Sequence, residues 1–244
     1  MKAIIPVAGY ATRLYPLTEN MPKALLDIQG KPMIEHIIDK IIELNAVDEI
    51  YIVSNAKFYP NFESWLKNFN SEISIKLLND NTTSNADRLG QIGDIALALK
   101  AGSIDDDLIS INGDNLFNFS LKRIFEFFKE KRVIVNALHD AKSLKVAQEQ
   151  GNASIDASGR VILFEEKPKE PKTTYVSPGI YFFPREKLKL ISEYLDSGGN
   201  PDKMGYFMIW LTERKELYGF VYEEKYFDIG WPEALELARR EFHG

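Results

Sequence analysis

The strongest constraint on this chain is an alternation of two apolar periods. Short runs rich in β-branched residues, "KAIIPV" from residue 2, "EIYIVSN" from 49, "ISIKLLN" from 73 and "DLISIN" from 107, are separated by stretches of helical period. In "PMIEHIIDKIIELN" the residues Ile34, Ile37, Ile38, Ile41 and Ile42 share one helical face, and further helices are expected over 57–68, 89–101 and 120–131. A β-α-β-α-β-α-β order through about residue 135 predicts a mostly parallel sheet with helices on both faces. The pattern then changes. "NASIDASGRVILFEEK" reads as two strands around an Ala-Ser-Gly turn and "YVSPGIYFF" as another strand, with helices over 185–196, 203–214 and 232–242 and a strand pair near 216–229. No repeat, low-complexity tract or linker interrupts the chain. The expectation is one α/β domain, a Rossmann-like three-layer mixed sheet, with two functional halves at 1–135 and 136–244.

Composition narrows the chemistry. The 244 residues include no cysteine, which removes disulfides, thiolate nucleophiles and cysteine metal sites and fits a reducing, cytoplasmic setting. The apolar stretch in "MKAIIPVAG" is too short for a signal sequence or a bilayer span, so no membrane association is expected. With a net charge of −6 and acidic and basic residues interspersed, no basic stripe recommends nucleic acid, and any anion site must be local.

Such a site is suggested where the first strand ends, because ligands of open α/β sheets lie beyond the carboxyl ends of the strands. In "PVAGYATRLYPLTENMPKALL", residues 6–26, the small-residue turn through Ala8, Gly9, Tyr10, Ala11 and Thr12 lets backbone N–H groups approach phosphate oxygens. Arg13 can fork two donors onto them and Lys23 adds a point charge from across the loop. Taken alone, Gly9 is equally what a tight turn needs, and both cations are equally what a solvated surface carries.

The longer string "PVAGYATRLYPLTENMPKALLDIQGKPMIEHII", residues 6–38, resembles the amino-terminal signature of the sugar-1-phosphate nucleotidyltransferases, "GGxGTRLxPLTxxxPKxLLxIxGKPMI". Its "IPVAG" opening is similar to that of the bacterial UTP–glucose-1-phosphate uridylyltransferases. The resemblance implies the nucleotide-diphospho-sugar transferase (GT-A-like) fold, with a nucleotide-binding first half and a sugar-phosphate-binding second half. It also implies a loop that wraps a triphosphate, with Arg13 and Lys23 stabilising charge during transfer. Ala8 and Ala11 stand where the signature has glycines. A left-handed backbone at position 11 would cost alanine roughly 1 kcal/mol.

Two carboxylates follow at strand ends, Asp114 in "DLISINGDNLF" and Asp228 in "EEKYFDIGWPEALELA". Convergence over one sheet edge would let them hold Mg²⁺, although "GDN" is also good turn chemistry and Asp228 could cap the last helix. The family carries metal-binding aspartates in "GDN" and "xDxGTPE" segments, which the resemblance places at Asp114 and Asp228, with Trp231 in place of the usual threonine.

The segment "DRLGQIGDIALALKAG" is similar to the family's base-binding "LGTAG" or "LAQA", which implies Gln91 as base reader beside the small residues Gly90 and Gly93. A glutamine amide suits uracil or thymine first, by flipping also cytosine, and guanine shows a similar edge. Without the resemblance Gln91 is a solvated first-turn residue; Asn79 is a second candidate contact. "ILFEEKPKEP" resembles the sugar-phosphate segment of the glucose-1-phosphate thymidylyltransferases, which implies Glu166 for sugar hydroxyls and Lys167 for the phosphate. Gly151 and Gly179 match glycines of that sugar pocket, and are also ordinary turn or bulge residues. His36, His139 and His243 are read as structural, since a sugar phosphate is already ionised at neutral pH and needs no proton removed.

The resemblance therefore implies Mg²⁺-dependent transfer of a nucleotidyl group from UTP or dTTP to glucose 1-phosphate, giving a nucleotide-sugar and pyrophosphate. A homo-oligomer is compatible with it. Cytidylyl or guanylyl transfer to another phosphorylated sugar or alcohol, and a noncatalytic nucleotide-sugar-binding regulatory subunit, are the alternatives. The length of 244 residues leaves no room for the appended β-helical acyltransferase domain of bifunctional members.

Overall fold

The computed structural model describes residues 1–243. In its first half come β1 (Lys2–Pro6), the hairpin β2 (Asp27–Ile28) and β3 (Lys31–Pro32), α1 (Met33–Ile42), β4 (Glu49–Ser54), α2 (Tyr59–Asn68), β5 (Ser74–Asn79), α3 (Gln91–Ala101), β6 (Leu108–Ile111), β7 (Asn115–Phe117) and α4 (Lys122–Lys131). The second half adds β8 (Ile134–Asp140), α5 (Leu144–Ala147), β9 (Gly151–Ile155), β10 (Val161–Glu166), β11 (Tyr175–Ser177) and β12 (Ile180–Phe183). Then follow α6 (Lys189–Asp196), α7 (Met204–Glu213), β13 (Leu217–Tyr222), β14 (Tyr226–Asp228) and α8 (Pro232–Glu241).

A ten-stranded mixed sheet runs in the order β10-β9-β11-β8-β12-β6-β1-β4-β5, with β13 also paired to β8. The first-half strands β6, β1, β4 and β5 are mutually parallel, as the alternation predicts, and β12 joins them to the second half by antiparallel pairing with β6. Side-chain alternation divides the core into layers. Ala3, Ile5, Ile50 and Ile52 face α1, α2 and α4, whereas Ile4, Tyr51 and Val53 face α3, α6 and α7. The three-layer expectation therefore holds. Among the described residues no helix is long and apolar enough to cross a membrane.

The differences from the expected elements have local causes. The helix expected from residue 89 begins at Gln91, because Gly90 has φ +81° and a Cβ there would lie 2.2 Å from the Asp202 Cα. The strand expected over 175–183 breaks at Pro178-Gly179, where Gly179 has φ +100°. The helix expected from 185 starts as a separate 3₁₀ turn, Arg185–Lys187, after Pro184. The hairpin β2–β3, the three-residue β7 and the single turn α5 are too short to leave a periodic signal.

Beside the main sheet, β14 pairs antiparallel with β7, setting Phe227 opposite Leu116 and Asp228 opposite Asn115. Leu116 and Phe227 belong to a third, smaller core that also contains Leu14, Leu26, Ile28, Met33, Ile229, Leu235 and Phe242. One further anchor lies below β1: the fully buried Asn55 donates to the Ala8 carbonyl at 2.7 Å and accepts from the Phe58 N–H at 2.9 Å. Asn55→Ala strands both backbone groups, so a loss of about 2–4 kcal/mol is expected in chemical denaturation.

Candidate active site

Among the four parallel strands, β4 lies on one side of β1 and β6 on the other. The connections run outward to β4 and β5 on one side of β1 and return to β6 on the other, and such a switch point opens a crevice beyond the strand ends. A chamber of about 840 Å³ lies there, lined by the 6–14 loop, Lys23, Asn112–Asp114 and Asp228–Trp231. A smaller chamber of about 300 Å³ adjoins it, lined by Gly151, Glu166, Ser177, Tyr181 and Lys203 among others. Both chambers share Gln91, Asn112, Asp114, Glu149, Lys167, Asp202 and Asp228.

The loop after β1 is fastened at several points. Besides the Asn55 bond to Ala8, the buried Thr18 hydroxyl donates to the Ala11 carbonyl at 2.7 Å, and Leu14 is sunk in the third core. Ala8, Gly9, Tyr10, Ala11, Thr12 and Arg13 all line the larger chamber. Ala11 has φ 46° and ψ 42°, so the residue that replaces a signature glycine sits in the left-handed region. The Arg13 guanidinium stacks over the Trp231 ring at 4.9 Å, and Trp231 is exposed. Through this cation–π contact the unusual tryptophan holds the arginine over the mouth of the chamber.

The β7–β14 register brings the two aspartates together. Lys23 Nζ lies 3.0 Å from Asp114 Oδ2. The Asp228 carboxyl is pushed above the ordinary range, first by burial against the chamber wall and then by the charge of Asp114, while Lys23, Lys167 and Arg13 oppose the shift. Asp228 does not cap α8, whose start carries no side-chain cap. Two hard-oxygen carboxylates, the charge of Asp114 raising the proton affinity of Asp228, are a donor set suited to a small divalent cation. No third carboxylate or histidine among the described residues completes a protein-only cage, so such an ion would keep positions for phosphate and water. Gln150 supports the pair, donating to Asp228 Oδ2 at 3.4 Å and accepting from the Tyr226 hydroxyl at 2.6 Å.

Other predicted residues divide. Gln91 reaches the chambers' junction, where its Nε2 donates to Asn112 Oδ1. Lys167, with φ 50°, lies at the same junction; Gly151 and Glu166 line the smaller chamber. Burial raises the Glu166 carboxyl, against the influence of Lys167 and Lys203.

Three expectations need correction. Asn79 lines neither chamber; its Oδ1 is engaged by the Asn81 N–H at 2.8 Å in a local turn. Gly93 also lies outside, where an added Cβ would meet Leu89 at 3.0 Å, and Gly90 is the glycine at the chamber wall. Gly179 lines neither chamber; its lack of a side chain makes room for Asn112, since a Cβ would fall 2.2 Å from Asn112 Nδ2.

Sequence reasoning missed Lys203, Gln150, Trp231 as a cation platform and Asp94, and assigned nothing to Arg88. Arg88 forks onto Asp202 at 2.6 and 2.7 Å, tying the segment before α3 to the start of α7. Only the departure from the family string at Trp231 was a signal visible in the sequence.

Fold and cleft together are those of an open α/β protein, and the chain belongs to the nucleotidyl transferase family, whose model matches residues 2–243. It is 31% identical to the bifunctional protein GlmU of Methanocaldococcus jannaschii over 95% of this chain and 52% of that protein. It is 30% identical to mannose-1-phosphate guanylyltransferase 1 of Arabidopsis thaliana over 95% of this chain and 62% of that one. It thus spans about half the length of the GlmU relatives it matches. A putative glucose-1-phosphate thymidylyltransferase from Bacillus anthracis, solved in complex with sucrose, superposes with a TM-score of 0.83 at 25% identity, covering 100% of this chain and 97% of that one.

Two outcomes follow from the geometry. Ala11→Gly relieves a left-handed alanine at some cost in unfolded-chain entropy, so a net gain of up to about 1 kcal/mol is expected in denaturant melts. Burial, together with the charges of Asp80 and Asp202, pushes the Asp94 carboxyl up to about 8. The native chain therefore keeps a proton that the unfolded chain releases near pH 4, and this group makes stability fall as pH rises from about 4 to about 8. Asp94→Asn lacks that loss, so its melting temperature relative to the unaltered protein should climb between pH 5 and pH 8.

Proposed function

We propose that this chain is a cytoplasmic sugar-1-phosphate nucleotidyltransferase that uses Mg²⁺, with UTP or dTTP and glucose 1-phosphate as its leading substrates. The observation that carries the reading is the junction of the two chambers, where Asp114, Asp228 and Lys167 line both. The larger chamber has the size and the small-residue loop for a nucleoside triphosphate, and the smaller one suits a phosphorylated sugar. A sugar-phosphate oxygen attacks the α-phosphorus, the new P–O bond forms as the bond to the bridging oxygen breaks, and pyrophosphate leaves. The nucleophile is ionised at neutral pH, so alignment and charge neutralisation take the place of a general base.

The loop backbone, Arg13 and Lys23 would receive the charge of the departing pyrophosphate. Lys167 would hold the attacking phosphate at the junction, and Glu166 would accept from sugar hydroxyls. Mg²⁺ held by Asp114 and Asp228 would supply further neutralisation of the reacting phosphates.

Gln91 bears on the base. One of its two Nε2 hydrogens goes to Asn112, which fixes the orientation of the amide and leaves Oε1 as an acceptor. An acceptor favours a base with a ring N–H, namely uracil, thymine or guanine, over cytosine and adenine. The uridylyl and thymidylyl reading is supported by likeness to the Bacillus anthracis structure and by 28% identity, over 75% of this chain, to the UTP–glucose-1-phosphate uridylyltransferase AglF of Haloferax volcanii. The Arabidopsis relative makes GTP with mannose 1-phosphate the pair to test beside it.

A pyrophosphate-release assay across the nucleoside triphosphates and a panel of sugar 1-phosphates tests the proposal. Turnover is expected with UTP or dTTP and glucose 1-phosphate, a loss of about a hundredfold or more in Asp228→Ala, and a far larger rise in KM for the sugar phosphate than for the nucleotide in Lys167→Ala. Absence of pyrophosphate with every pair, alongside intact nucleotide-sugar binding, would favour the regulatory-subunit alternative.

A further inference from the structure

Asp94 occupies the first turn of α3, is only 4% exposed and lines the larger chamber but not the smaller one. Its Oδ1 is buried without a hydrogen-bond partner. A carboxyl in that state is costly unless something supplies a partner.

The backbone amides and the cation nearby are committed elsewhere. The N–H groups of Gln91, Ile92 and Gly93 at the head of α3 point to the Asp202 and Pro201 carbonyls at 2.9–3.4 Å, so the helix start offers Asp94 no amide. The Arg88 guanidinium is taken by Asp202. Asp80, after β5, accepts from the Thr82 N–H and hydroxyl, and its charge acts to raise the Asp94 carboxyl. The Tyr10 hydroxyl, on the loop after β1, is also buried and unpartnered. With two carboxylates and no free cation among the groups that act on it, Asp94 is held protonated near neutral pH. A protonated carboxyl is a hydrogen-bond donor as well as an acceptor.

We propose that Asp94 reads the base of the nucleotide, its carboxylic acid donating the O–H hydrogen to a ring carbonyl while Gln91 Oε1 accepts from the adjacent ring N–H. The inference deepens the nucleotidyltransferase reading and rests on it. Uracil, thymine and guanine each carry a carbonyl beside a ring N–H on one edge. Cytosine and adenine present a ring nitrogen without hydrogen there, which faces Gln91 Oε1 with no proton between them. The pair thus resembles one fixed-orientation amide assembled from two side chains.

Calorimetric binding of UTP, dTTP, GTP, CTP and ATP, measured separately from pyrophosphate release, tests this. At about pH 7 one or more of UTP, dTTP and GTP should bind at least about tenfold tighter than CTP and ATP. Between about pH 8 and about pH 9 the affinity should fall several-fold as Asp94 ionises. Asp94→Ala should weaken binding about tenfold, and Asp94→Asn, which restores an N–H donor, should recover most of that loss. The asparagine variant also isolates ionisation of the base itself, so its affinity should change far less over the same range. Tightest binding of CTP or ATP, no binding of any of the five, or affinity that rises with pH overturns the proposal. So does a pH response shared in full by Asp94→Asn, which remains decisive if the alanine variant fails to fold. Selective binding without pyrophosphate release would instead sink the catalytic reading and leave the role of Asp94 standing.

Discussion

The site depends on one strand pairing outside the main sheet. The β7–β14 ribbon is three residues deep, yet its register determines that Asp228 arrives beside the Asn115 that follows Asp114. A slip of a single residue would turn Asp228 to the opposite face. What holds the register is the apolar side of the ribbon: Leu116 and Phe227 lock into the small core with Leu14 from the cationic loop and Leu235 and Phe242 from the last helical segment. The mutual repulsion of two crowded carboxylates is thus opposed by hydrophobic contacts directly beneath them.

That small core also explains why the loop after β1 can carry its charges without folding on its own. Leu14 is buried while its neighbour Arg13 is exposed and stacked on Trp231, one residue before the helix that supplies Leu235. Opposite ends of the chain therefore fix one another's geometry. The same principle recurs across the cleft, where Arg88 and Asp202 join the segment preceding α3 to the one preceding α7.

The large features were legible because they repeat. Ile34, Ile37, Ile38 and Ile41 announce α1, and the runs at β1, β4, β5 and β6 announce a parallel sheet, so the loop beyond the end of β1 could be placed from the sequence. What escaped depends on tertiary partners. Nothing local marks β7 as a strand until β14 pairs with it. Gly90, Gly93 and Gly179 look alike in the sequence; they are told apart by Asp202, Leu89 and Asn112, residues distant or unremarkable in the chain. Asn79 reads as a strand-end ligand and is consumed by a turn with Asn81. Asp94 is the converse, an ordinary acid in a helix whose meaning comes from the backbone amides and the guanidinium nearby, which already serve other acceptors.

The interlock of the chain's two extremes also bears on the order of events at the ribosome. The parallel strands β1, β4, β5 and β6 are complete by residue 111, and the remaining strands of the main sheet by 222. Until residues 226–242 emerge, the nascent polypeptide has the main sheet and the loop after β1 but one acidic side chain of the two, and Leu14 lacks much of its packing. The two halves of the candidate site are therefore brought together only after the scaffold that displays them is complete.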